Sequence, residues 1–131
     1  MATTTVDTVS IASALEELLN GVDGLRCWRY LADNFRPPGA VIAMPSIDYA
    51  DPEAGFCSAT WSFGISIIVS RNQDRAAQDA LSRLVSQVVQ ALDGTPVEDI
   101  FSIDVLTAVP TSIDVSGQPL PAYNLRVRVR A

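Results

Sequence analysis

The chain reads as an α+β domain, a mostly antiparallel sheet of four to five strands with two helices packed on one face. Three observations predict this. From Cys57 to Val69 the odd positions are Cys57, Ala59, Trp61, Phe63, Ile65, Ile67 and Val69, and the even ones are mostly serine, threonine and glycine. That period of 2 is a strand with one buried and one wetter face. At Ser70-Arg71-Asn72 the period changes to 3.6, with apolar residues at Ala77, Leu81, Leu84, Val85, Val88, Val89 and Leu92. Third, Tyr123 to Arg130 alternates apolar residues and arginine more cleanly than any other stretch.

The remaining elements follow in order. Met1-Ala2-Thr3-Thr4-Thr5 lacks the basic and apolar regions of a signal peptide, and residues 1–7 read as a flexible N-terminal tail. Residues 8–20 form a helix capped by Thr8 or Ser10, with Ile11, Leu15, Leu18 and Leu19 as its apolar stripe and Gly21 and Gly24 ending it. Leu25 to Leu31 reads as a strand, broken by Asp33-Asn34 and Pro37-Pro38-Gly39. Ala40 to Ala43 is a short strand closed by Pro45, and residues 46–56 read as a loop. The strand from Cys57 to Ser70 and a helix of about 30 Å over 72–92 come next. Asp93-Gly94-Thr95-Pro96 stops that helix, and Val97 to Phe101 can add a helical turn. Ile103 to Val109 reads as a strand, Pro110 to Pro121 as a loop, and the alternating segment is the last strand. The order is α-β-β-β-α-β-β.

Composition narrows the function classes. The 131 residues fit one domain, 1–131, able to bury roughly two-thirds of its unfolded surface. No apolar run reaches the ~18 residues of a membrane span. Two cysteines, Cys27 and Cys57, far apart and without a C-x-x-C motif, read as buried thiols. The net charge of −6 argues against general affinity for nucleic-acid phosphates. All nine cations are arginine, which reads as GC-rich codon usage, or as a preference for the guanidinium fork at interfaces. With no histidine there is no Ser/His/Asp or Cys/His arrangement, and no phosphate loop or dinucleotide fingerprint is present. The expectation is a protein without catalytic, metal-binding or cofactor-binding residues.

The candidate sites are therefore interfaces. Arg126, Arg128 and Arg130 fall on one face of one strand, about 7 Å apart. They read as a solvated outer face guarding a sheet edge, as a strip meeting a neighbouring subunit's carboxylates, or as a contact to DNA backbone. The acidic chain ranks DNA last. Asp48, Asp51 and Glu53 form an acidic loop, read as solvated or as an interface finger, since it lacks the glycine and closing glutamate of a calcium loop. Arg71 and Arg75 sit at the start of the long helix, unfavourable for its dipole, and mark a possible subunit contact. Trp28, Tyr30, Trp61 and Phe63 read as core rather than as a nucleic-acid stacking platform.

These residues also carry a resemblance. Val22-Asp23-Gly24-Leu25-Arg26, Trp28-Arg29-Tyr30 leading through Phe35-Arg36-Pro37-Pro38 to Ala40-Val41-Ile42, Pro45 with Tyr49, Ile67-Ile68-Val69-Ser70-Arg71, Arg75-Ala76-Ala77-Gln78, Leu81 and the closing strand are similar to tail terminator proteins of long-tailed (siphovirus) bacteriophages infecting actinobacteria. The match covers roughly 11–131 and rests on structural motifs. The resemblance implies a virion structural protein, not an enzyme, whose subunits form a homo-oligomeric ring, a hexamer. That ring caps the completed tail tube at its head-proximal end and joins it to the head-tail connector or stopper protein, after assembly in the host cytoplasm. Genomic DNA passes through the lumen without specific binding, and no membrane or cofactor is involved. Six subunits at −6 give −36, a charge that keeps DNA from adhering. Alternatives are a head-to-tail stopper or adaptor, a tail tube protein, which would carry a long hairpin and more strands, or a small-ligand-binding domain with an apolar pocket.

Overall fold

A computed structural model describes residues 7–22, 25–29, 38–49, 59–69, 74–97, 100, 102–115 and 117–130. Helix α1 spans Thr8–Asn20. Its N-cap is Asp7, one residue before the expected cap. The Asp7 carboxylate accepts the Ser10 N–H at 2.8 Å, and Ser10 Oγ accepts the Asp7 N–H at 3.1 Å. Two orphan donors are thus satisfied reciprocally, and the last residue of the expected flexible tail is held in place. Gly21 is the C-cap, in a right-handed conformation.

Six strands and a second helix follow: β1 Arg26–Trp28, β2 Gly39–Ile42, β3 Ser46–Asp48, β4 Thr60–Ile68, α2 Asp74–Leu92, β5 Ser102–Val115 and β6 Gln118–Arg130. They form one mixed, mostly antiparallel sheet in the order β1-β2-β4-β6-β5, with β1 and β2 parallel. Strands β2 and β3 both run along one side of β4. Three residues, 43–45, separate register pairs that leave only Phe63 and Gly64 opposite, so a bulge joins β2 to β3. Pro45, with no N–H to give, sits in that bulge.

The helices cover one face of the sheet. Trp61, Phe63, Ile65 and Ile67 of β4 and Leu125, Val127 and Val129 of β6 pack with Ile11, Leu15 and Leu19 of α1 and Leu81, Val88 and Leu92 of α2. Trp61 Nε1–H donates to Thr8 Oγ1 at 3.1 Å, tying the start of α1 to the sheet. At the end of α2, Gly94 turns left-handed (φ 71°). Its N–H donates to the Ile103 carbonyl at 2.9 Å, while Asp93 Oδ1 accepts the Val105 N–H at 3.0 Å. The helix terminus thereby covers the near end of the outer edge of β5.

Beyond the Asp7 cap and a sheet of six strands in place of four to five, the structure differs from the sequence reading in three further places. Ser46–Asp48, read as loop, pairs with β4 as β3, because both sides of the Pro45 bulge can follow the same neighbour. Val97 and Ile100, where a helical turn is expected, form an isolated antiparallel bridge, and residues 98, 99 and 101 lie outside the described residues. Pro110 to Pro121 is not a loop but the distal half of a long β5–β6 hairpin. Val115 pairs with Gln118, and Gly117 takes φ 81° in the two-residue connection.

Three prolines fit that hairpin for one reason. The Val69 N–H donates to the Pro121 carbonyl at 3.2 Å, so odd-numbered β6 residues turn their backbone groups toward β4. By alternation, the residues paired with them on the distal half of β5, from Ala108 to Asp114 at even numbers, turn theirs outward. Pro119 and Pro121 face away from β5, and Pro110 faces the open edge. None removes a hydrogen bond from within the hairpin.

Candidate functional site

The face of the sheet opposite the helices is open over much of its area. Register places its side chains in lateral rows. Asp48, Thr60, Arg130 and Ser102 make one row, and Ser46, Ser62, Arg128 and Asp104 the next. Gly64 and Arg126 follow, then Val41, Ser66, Asn124 and Val109. Farther along, Ile68, Leu120 and Ala122 form a small second core with half-buried Trp28, Val41, Ile113 and Val115. The face thus grades from charged through small and polar to apolar.

The three arginines of β6 do share this face, and they are not equivalent. Arg128 meets the carboxylate of its register partner Asp104 at 3.5 Å. Both side chains are about a third exposed (32% and 38%), so solvent screens the pair and its contribution is small. Arg128 Nε and Ser102 Oγ are buried without a hydrogen-bond partner. Arg130 is half-buried between Thr60 and Ser102, and both it and Asp48 are engaged in further interactions. Arg126 is exposed. Asp48, read as part of a loop, lies on β3 in the row of Arg130, so acid and base share one strip.

Arg75 is exposed near the start of α2, which packs on the other side of the sheet, so the structure does not bring it to the arginine ladder. Asp51, Glu53 and Arg71, and with them Tyr30 and Cys57, lie outside the described residues. Trp61 and Phe63 are core, as expected, whereas Trp28 is half-buried on the open face with the Arg26 guanidinium 5.9 Å from its ring centroid. Cys27 is a buried thiol whose pKa is pushed up to about 12, chiefly by burial and then by the Glu16 carboxylate, with Arg29 opposing. Such a thiol stays protonated and unreactive at neutral pH. Arg29 also ties β1 to α1 through Glu16 (3.4 Å) and the Ser13 hydroxyl.

Sequence reasoning missed the feature at the centre of the open face. A shallow basin of about 490 Å3 is lined by Met44, Ser46, Ser62, Gly64, Thr107, Asn124 and Arg126, with Val109 to Thr111 on its far side. Met44, in the bulge, is 93% exposed, and Val109, on β5, is 54% exposed. Gly64, a glycine inside an otherwise regular strand, was the available signal.

Among the described residues no group of three or more histidines, cysteines or acids is placed to hold a metal ion, and no helix is long and apolar enough to cross a membrane. No protein-family model matches the chain, and a search of curated proteins returns no match.

Proposed function

We propose that this chain is a ring-forming structural subunit of a long-tailed phage tail, acting as the tail terminator that caps the tube and meets the head-tail connector. The observation that supports this reading best is a sheet with one face sealed by both helices and the other open over its middle rows, beside an overhanging β-hairpin. A domain that has completed its core on one side keeps the second for neighbours. The open face carries the arginine ladder, and the hairpin runs past the last β4 partner of β6 at Ala122 by about 13 Å. Head-to-tail contacts between two such different surfaces close into rings. The net charge of −6 per chain suits a lumen through which DNA slides.

The same hairpin favours a second reading, the tail tube subunit, for which a long hairpin and a strand-rich sheet are the expected marks. Removal of the gene from a phage that carries it, followed by negative-stain imaging of the lysate, separates the readings. Overlong tails beside filled heads support the terminator. Tails of normal length that do not join heads indicate a stopper or adaptor, and absence of tails indicates the tube subunit. Infectious particles of normal form overturn all three.

A further inference from the structure

The basin around Gly64 is built by features that the rest of the chain does not require. Two β-bulges flank it. One is the 43–45 bulge on the β3 side. The other is at Leu106, the extra residue between Val105, opposite Val127, and Thr107, opposite Arg126. Bulges bend and twist their strands, and a pair beside one row makes that row concave. Gly64 is the floor between them, its carbonyl accepting the Ala43 N–H at 2.9 Å. Among the described residues nothing demands glycine there. A Cβ at Gly64 would meet Asn124 Oδ1 at 3.8 Å and Ala43 Cβ at 4.0 Å, ordinary contacts, and Gly64 is not among the glycines with positive φ. A glycine inside a strand marks a bulge or the close approach of another backbone, and here the extra residue is on the neighbouring strand, which leaves the floor at Gly64 open to a close approach.

The lining states what that group is. Among the described residues Arg126 is the one charged residue of the basin, and no described acid lines it. Met44 and Val109 offer apolar surface on either side. The complement is an extended chain with a carboxylate and small or apolar neighbours. The hairpin tip has this character: from Thr107 to Asn124 the one charged residue is Asp114, exposed and in register with Pro119 beyond the body of the sheet. Asp114 cannot reach the Arg126 of its own chain. Thr107 pairs with Arg126, and seven paired residues, roughly 23 Å, separate Thr107 from Asp114.

We infer that the Gly64 cradle receives the hairpin tip of a second copy of this chain, whose Asp114 pairs with Arg126. The contact is head-to-tail and self-propagating, and it rests on the ring reading above. Charge reversal in the full-length chain tests it, with assembly read by light-scattering chromatography and folding by circular dichroism. Arg126→Glu and Asp114→Arg each weaken self-association about tenfold or more, and the double variant restores it. Gly64→Leu fills the floor without changing charge and gives the same loss with a folded monomer. A wild-type chain that assembles while either charge variant assembles equally overturns the cradle and leaves the ring reading standing. Failure of the double variant to rescue overturns the Asp114–Arg126 pairing. A wild-type chain that stays monomeric at every concentration overturns the ring reading itself, and the cradle with it.

Discussion

The two faces of β4 show how one strand serves two purposes. Its odd residues, Trp61 to Ile67, are almost wholly buried under the helices, and their identity is set by volume and packing. Its middle even residues Ser62, Gly64 and Ser66 are small and half-exposed, between buried Thr60 and Ile68 at the strand's ends. On the helix face the sequence maximises contact. On the open face it withholds bulk, most clearly at Gly64. A face that only needed solubility would carry long charged side chains, so the smallness is the informative part.

Four measurements break or sharpen that contrast. The largest effect belongs to the buried face: Phe63→Ala costs about 3–5 kcal/mol in denaturant unfolding, whereas Ser66→Ala on the open face stays within about 0.5 kcal/mol. Equal losses would mean that the open face is also packed. Next comes the Cys27 thiol. Its folded pKa, near 12, lies above the ordinary 9.0, so between those values unfolding releases a proton and stability falls as pH rises. Cys27→Ala removes that part of the alkaline slope; an unchanged slope would place the thiol in water. Third, Gly64→Ala stabilises the fold by about 0.4–1 kcal/mol, because the Cβ fits and the unfolded chain loses freedom. Destabilisation would show that glycine is needed by the strand itself and not by a visitor. The smallest effect is Asp104→Asn, about 0.2–1 kcal/mol and diminished by salt, since the pair with Arg128 is partly exposed.

Much of this was legible in the sequence. The period of 2 from Trp61 to Ile67, the period of 3.6 through Leu81 to Leu92, and the alternation of Leu125 to Arg130 each reflect burial on one side, and each element is present. The common face of the three β6 arginines followed from the same periodicity. The distal hairpin was not legible because Pro110, Pro119 and Pro121 normally argue against a strand, and only pairing geometry reveals that each turns its missing N–H away from its partner strand in the hairpin. The place of Asp48 beside Arg130 was hidden for a similar reason, since β3 is three residues long and follows a bulge. The basin itself needs two bulges and a glycine brought into one row from four strands, which no local pattern encodes.

Pro110 has one more effect. Among the described residues the distal half of β5 is a long unpaired edge rich in β-branched residues, from Thr107 to Val115, and such an edge templates amyloid-like stacking. One absent donor, midway along the row, interrupts any neighbour that tries to zip along that edge, while side-chain contacts on the open face are unaffected. Pro110→Thr would restore the row, and with it the hazard of fibres.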